Sequence, residues 1–438
     1  MNLPVSSLKT ALCNPKLQVM NFLNEIAQKY PSAISFAPGR PVESYFEVAR
    51  SVEYLKDFVD YASSGGAHAT VNIDSMLGQY GRTNGLIGDL ISQLLANDEA
   101  ISVSAGDIVA TVGCQEAMCL CLLALCGNPG DVALVADPAY IGITGTAHLL
   151  GIEVAPVSSG AEGLDIAALL ATIDRIKVDG KRPRILYLSP DFSNPTGATM
   201  PAGRRNELLD IARGAGFLIL EDHAYNYFQL DGERLRPLKS EPDSDHVLYL
   251  GSFSKSIYPG LRLGFIATTA QVVHPDGAIS SLADELSKVK SLLTVNTSPI
   301  SQGIVGGLLV RHGCSLQSFV IPRREALRRQ RDAMLEALAR HFPKSVTSFR
   351  DVHWNSPAGG FFLQLSLPYD VTDEDLTCSA RDYGVLWTPM SYFFENFAPS
   401  REIRLSFSYV EPKEVDAGIA ALARMVRARM ENTLVRAA

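Results

Sequence analysis

The sequence predicts an α/β protein, with a mainly parallel seven-stranded sheet in a large domain and a smaller α+β domain beside it. Three observations lead there. Short apolar runs alternate with helical stretches from about residue 105 onward, the pattern of a parallel sheet covered by helices on both faces. The chain has 438 residues, 47% of them hydrophobic, which is enough to bury a large core. Most residues suited to chemistry fall just after a run that reads as a strand, where sheets of this kind bind ligands.

In chain order, residues 1–75 read as an N-terminal arm and part of the small domain, 76–315 as the large domain, and 316–438 as the C-terminal small domain. The arm holds a helix-like piece at Gln18–Tyr30, a loop-rich stretch at Pro31–Pro41, a second helix at Val48–Tyr61 and a break at Ser63–Ala67. Strands are expected at Ile108–Val112, Val132–Ala136, Glu153–Pro156, Ile185–Ser189, Phe217–Glu221, Val247–Gly251 and Leu263–Ala267. Helices are expected between them at Gln115–Cys126, Asp165–Lys177 and Arg204–Gly214. A further helix, Pro322–Phe342, places Leu327, Met334, Leu335, Leu338 and Phe342 on one face. Its arginines (323, 324, 328, 329 and 331) interleave with Glu325 and Asp332 and read as a solvated face. Gly359–Ala438 reads as strands and a helix.

Composition excludes several functions. A net charge of −8 argues against a nucleic-acid partner, which would call for a basic excess. The longest strongly apolar stretch, Ala117–Cys126, is far too short to span a bilayer, and the N-terminus lacks a secretory pattern. No membrane association and a cytoplasmic location are therefore expected. Seven cysteines without a CxxC pair suggest free thiols and no metal site.

The strongest chemical signal is Gly251-Ser-Phe-Ser-Lys255-Ser-Ile-Tyr-Pro-Gly260-Leu-Arg262-Leu-Gly264. A lysine amine forms an imine with a carbonyl once burial or a nearby cation lowers its pKa. A loop between two strands would hold Lys255 against an aldehyde, while Ser252, Ser254 and Arg262 hold a phosphate dianion. Upstream stand Ser189-Pro-Asp-Phe-Ser-Asn194-Pro195-Thr-Gly197, Glu221-Asp222-His223-Ala224-Tyr225, Thr111-Val-Gly113-Cys114-Gln115, Asp137-Pro138-Ala139-Tyr140 and Gln79-Tyr80-Gly81-Arg82. Taken singly, several of these are also ordinary turn or core chemistry.

Together the strings resemble class I/II aminotransferases, the fold-type I pyridoxal-5′-phosphate (PLP) enzymes. They are most similar to the subgroup of 2-aminoadipate aminotransferases and the enzyme-like domains of MocR regulators. The resemblance implies the PLP-dependent transferase fold, with Lys255 carrying the cofactor as a Schiff base. It implies that Asp222 pairs with the pyridine nitrogen, that Asn194 and Tyr225 bond the phenolic oxygen, and that Tyr140 stacks on the ring. Gly113, Cys114 and Gln115 would meet the phosphate at a helix N-terminus. Tyr80 would reach the phosphate of the other subunit, which implies a homodimer with shared active sites. Arg404, in Arg401-Glu-Ile-Arg404-Leu-Ser-Phe-Ser, would grip the carboxylate of an amino-acid substrate. Gly39, in Ile34-Ser-Phe-Ala-Pro-Gly39, would line the substrate pocket together with Arg40 and Asn194.

Three departures from the subgroup bear on substrate. His223 stands in place of a second acid and Ala224 in place of a proline; Arg40 replaces an apolar residue; Arg82 replaces a proline. Arg40 and Arg82 either add positive charge at the pocket mouth or are surface arginines paired with Glu43 or Asp74. The implied reaction is transfer of an amino group from an amino acid to a 2-oxo acid. A lyase, decarboxylase or replacement enzyme on the same fold is the alternative. A regulator is disfavoured by the acidic charge and by similarity that begins by about residue 20.

Overall fold

The computed structural model describes residues 2–14, 16–64 and 72–437. Seven strands form the central sheet: β1 (Ile108–Thr111), β2 (Asp131–Asp137), β3 (Glu153–Gly160), β4 (Arg182–Leu188), β5 (Leu218–Asp222), β6 (Val247–Ser252) and β7 (Gly264–Ala267). Their spatial order is β1-β7-β6-β5-β4-β2-β3, with a two-residue strand at Gly163–Leu164 extending the β3 edge. Strands β6, β5, β4, β2 and β3 run parallel, and β7 is antiparallel to both of its neighbours. The seven-stranded, mainly parallel sheet expected from the alternating pattern is therefore present. Its strands are buried along most of their length because helices cover both faces.

Gly113–Leu125, Ile141–Leu150 and Leu282–Leu293 pack on one face, while Ile166–Val178 and Ala202–Ala215 pack on the other. The antiparallel sheet of the smaller part joins His353–Trp354, Phe362–Ser366, Glu402–Ser406 and Thr388–Pro389 in that order. The helices Ile321–His341 and Pro412–Ala437 pack on each other. The N-terminal segment divides between the two parts. Ile34–Ser35 pairs with Val385–Leu386, whereas the helix Ser51–Ser63 packs on Pro299–Arg311. The expected break at Ser63–Ala67 begins where this helix ends, and its residues 65–67 lie outside the described ones.

One expectation is corrected. The arginines of Ile321–His341 do not form a uniformly solvated face. Arg331 is buried and pairs with Asp231 and Asp332. Arg323 donates to the carbonyls of Phe319 and Tyr45 and lies 3.9 Å over the Phe319 ring. The helix packs between layers, so its flanks meet protein, and long side chains can bury their stems there while their charged heads find carbonyls and carboxylates.

Candidate active site

A cavity of about 470 Å³ opens at the carboxyl ends of β4, β5 and β6, between the large sheet and the smaller one. Lys255 follows β6 in a short turn, and its Nζ donates to the Gly39 carbonyl at 2.9 Å. A Cβ at Gly39 would stand 2.3 Å from the Phe362 ring, so this close approach requires glycine. Burial first, then the guanidinium groups of Arg262 and Arg404, push the Lys255 amine down to about 8. Both effects disfavour the charged form and leave a larger share of nucleophilic amine.

Asp222 ends β5 and forms the cavity floor. Tyr187 Oη, on the neighbouring β4, donates to its Oδ2 at 2.6 Å, and the Ala224 N–H donates to Oδ1 at 3.2 Å. Burial pushes this carboxyl up, opposed by the Tyr187 bond, the His223 charge and Lys255. A buried carboxylate with two donors and one face open to the cavity is suited to a cationic N–H.

On one flank, Arg262 Nη2 donates to the Val112 carbonyl at 3.3 Å, beside the N-terminus of Gly113–Leu125. Gly113 has φ +74°, and a Cβ there would lie 2.6 Å from Arg262 Nη2. Only glycine therefore leaves room for the guanidinium beside the helix terminus. That terminus, through Cys114 and Gln115, lines the cavity together with Arg262, Ser252 and Ser254, a donor set matched to a phosphate dianion. Gln115 is fixed by bonds to the Gly142 carbonyl (3.0 Å) and Thr146 Oγ1 (2.8 Å). Its Oε1 lies 3.4 Å from Tyr140 Oη. The Cys114 thiol donates to the Gly251 carbonyl at 3.2 Å and is pushed far up by burial, so it stays protonated.

The smaller sheet contributes Arg404, from Glu402–Ser406. It is 6% exposed and sandwiched between Phe362 and Phe393, at 4.2 and 4.7 Å from the ring centroids. It donates to Asn194 Oδ1 (2.7 Å), the Ala37 carbonyl (2.6 Å) and Thr388 Oγ1 (3.3 Å). Its Nε has no hydrogen-bond partner among the described residues. Burial lowers its pKa to about 10, so it remains a cation at neutral pH. With Oδ1 of Asn194 engaged, its amide donates through N–H only, and it is bonded to the Tyr225 phenol. Tyr225 is buried beside Asn194 and Arg404, and burial raises its phenol.

Lys255, Asp222, Tyr225, Cys114, Gln115, Tyr140, Asn194, Ser252, Ser254, Arg262, Arg404, Gly39 and Arg40 all line this one cavity. Gly113 stands immediately behind it. Tyr80 and Arg82 do not reach it; Tyr80 is 82% exposed. Neither Arg40 nor Arg82 forms an ion pair among the described residues, so the alternative of a pairing with Glu43 or Asp74 is not seen there. Arg401 points outward to Asp370.

Sequence reading gave no site role to Tyr187, Phe362 or Phe393, nor to Leu23, Asn24 and Ala27, which the helix Lys16–Lys29 brings to the cavity wall. Tyr187 could have been found from its register. It sits two residues before Ser189, and alternate residues of a strand share a face. The helix gave no such signal, because Leu23, Asn24 and Ala27 lie on a face whose partner is distant in sequence.

The sheet order, the lysine after β6 and the phosphate-shaped donor set define a PLP-dependent transferase of the α/β class. Comparison with known proteins agrees. The family model for aminotransferase class I and II matches residues 66–422. The (S)-3,5-dihydroxyphenylglycine transaminase of Amycolatopsis orientalis is 40% identical over 428 residues, covering 98% of this chain and 95% of that protein. The 2-aminoadipate transaminase of Thermus thermophilus is 31% identical, covering 75% of this chain and 77% of that protein. The crystal structure of a multiple substrate aminotransferase from Thermococcus profundus superposes with a TM-score of 0.82 at 27% identity, covering 98% of this chain and 99% of that one. The chain belongs to the aminotransferase class I and II family. Of the two reactions the sequence left open, the relatives support amino-group transfer over a lyase or replacement reaction. No helix among the described residues is long and apolar enough to cross a membrane.

Proposed function

We propose that this chain transfers the amino group of an aromatic or acidic α-amino acid to a 2-oxo acid, with PLP bound through Lys255. The observation that carries the reading is the convergence of the Lys255 amine, the Asp222 carboxyl and the Arg404 guanidinium on one cavity. Bound PLP supplies an aldehyde that condenses with amines and a pyridinium ring that withdraws electrons from the substrate Cα.

The chain's own residues do the rest. Arg262, Ser252, Ser254 and the N–H groups at the start of Gly113–Leu125 hold the phosphate. Asp222 would accept the ring N–H and keep that proton in place, while the Asn194 amide and Tyr225 Oη would donate to the phenolic oxygen. Tyr140 would cover the ring face. Arg404 would clamp the substrate carboxylate and so orient its Cα. The Lys255 amine would take the proton from Cα as a general base. Its lowered pKa suits that task near neutrality.

The side-chain end of the cavity mixes apolar Leu23 and Ile141 with polar Asn24, Ser35, Arg40 and Tyr409. That mixture suits a ring bearing hydroxyl groups, in keeping with the name of the 40% identical relative. Arg40 would face a phenolic or carboxylate group at the mouth. A homodimer accords with Tyr80, 82% exposed, and with the exposed apolar run Leu292 (88%), Leu293 (49%), Val295 (47%) and Ile300 (44%). The two lie together, since Asn296 is 3.4 Å from where a Gly81 Cβ would stand. The free thiols suit a reducing, cytoplasmic compartment.

The test is the visible absorption of the PLP-loaded protein, followed as phenylglycines, hydroxyphenylglycines, tyrosine and 2-aminoadipate are added singly. Bleaching by an aromatic or acidic amino acid, reversed by a 2-oxo acid, is expected. A band that none of them bleaches would reject the substrate class.

A further inference from the structure

Directly behind Asp222 lies a buried ionic cluster that takes no part in the chemistry above. We propose that His223 is a positioning residue for Asp222: held as an imidazolium between Glu221 and Asp191, it keeps the adjacent carboxyl ionised and fixed in the cavity floor. The inference rests on the reading of Asp222 as partner of the ring nitrogen.

His223 is 4% exposed and does not line the cavity, although Asp222 and Ala224 on either side of it do. Its side chain is therefore turned into the protein. Its Nε2 lies 2.9 Å from Glu221 Oε1, at ion-pair distance but out of line for a hydrogen bond, and its Nδ1 4.0 Å from Asp191 Oδ2. The ring stacks on Tyr249, with centroids 4.8 Å apart and planes 11° from parallel. The His223 N–H donates to the Leu250 carbonyl at 3.1 Å, which ties the same residue to β6.

The charged groups facing it come from several elements. Glu221 is on its own strand, where it also accepts from the N–H groups of Leu238 (2.6 Å) and Lys239 (3.0 Å). Asp191, in the loop after β4, is paired with Arg205 of Ala202–Ala215. Glu99, at the end of Gly88–Glu99, is paired with Arg234, and Asn226 links it to Tyr249 Oη at 3.1 Å. With Asp222 itself, four carboxyl groups thus surround the site against two guanidinium groups, while the Lys239 amine acts on Glu221 and the Lys255 amine on Asp222 from further off.

Unbalanced buried carboxylates are costly. With Asp191 paired to Arg205 and Glu99 to Arg234, a neutral imidazole would leave Glu221 with no cation within 4 Å among the described residues. Burial opposes the His223 charge, but the Glu221 carboxylate, with Asp191 and Glu99, overcomes it and holds the imidazole above its ordinary value. Asp222 gains in turn, because a cation on the next residue favours its ionised form over the neutral form that burial alone would select.

The test begins on the unliganded wild-type protein, with the ring nitrogens of ¹⁵N-histidine followed by NMR from pH 5 to 9. Through-bond correlation to the His223 backbone amide identifies the signal. A His223 ring still protonated at pH 7, and made neutral there by Glu221→Gln, is expected; a neutral ring at pH 7 in the wild type overturns the proposal. This arm stands whether or not the variant at 223 folds. Where His223→Gln melts as wild type does, its PLP affinity should fall on the order of tenfold, the effect of removing one nearby charge; an unchanged affinity overturns the proposal. Asp222→Asn is measured alongside. If it weakens PLP binding and His223→Gln does not, His223 has no such role and the reading of Asp222 stands. If Asp222→Asn also leaves PLP binding unchanged, that reading fails, and the proposal with it.

Discussion

Tyr187 and Asp222, on adjacent parallel strands, meet through a 2.6 Å hydrogen bond from the phenol to the carboxyl, and both side chains are buried. Strand register creates the contact. Tyr187 pairs with Leu220 and Leu188 with Glu221, so the Tyr187 side chain shares a face with the end of β5. Burial raises the phenol far above its ordinary value, so it stays a donor throughout the working range.

Tyr187→Phe removes that donor and leaves a buried carboxylate short of a partner. A loss of about 1–3 kcal/mol in holding the ionised form is expected. PLP should bind more weakly, by roughly tenfold, and more weakly still as pH falls. Equilibrium titration of the variant with PLP at pH 6 and 8 checks this.

The rate of PLP loading should depend on pH in a set direction. Only the neutral Lys255 amine attacks, and its pKa is lowered to about 8. Loading should therefore rise roughly tenfold from pH 7 to 9 and level off, whereas an unperturbed lysine would still be climbing there. Arg262→Gln removes a cation that depresses the amine, so the plateau should move to higher pH. Stopped-flow absorbance across that range distinguishes the two curves.

Arg404→Lys keeps a charge but loses the planar fork held by Asn194, Ala37 and Thr388 between two aromatic rings. A fall in kcat/KM for amino acids of about 2–3 kcal/mol, or on the order of a hundredfold, is expected, most of it in KM. Steady-state kinetics of the variant measure it.

Arg40→Ala should lower the preference for acidic or hydroxylated side chains over plain apolar ones. Arg82→Ala should leave that ranking unchanged, because Arg82 does not line the cavity. Ratios of kcat/KM across the substrate panel decide between them.

The large sheet was legible because parallel strands are buried on both faces and read as unbroken apolar runs, as in Val132–Ala136 and Val247–Gly251. The cofactor-facing residues were legible for a different reason. Lys255, Asp222 and Asn194 follow strand ends, where local turns carry recognisable residue strings. What could not be read depends on packing between distant segments. The approach of Lys16–Lys29 to the cavity, the Phe362–Arg404–Phe393 sandwich and the Asp191–His223–Glu221 cluster each join residues with no local pattern. The arginines of Ile321–His341 misled for the same reason, since a charged face reads as solvated until its neighbours are placed.

The most direct test of the central claim is to reduce the PLP-loaded protein with borohydride, digest it and locate the pyridoxyl group by mass spectrometry. The modified residue should be Lys255, with Lys255→Ala unlabelled, colourless and still folded. A label on another lysine, or an unlabelled protein that nonetheless transfers amino groups, would contradict it.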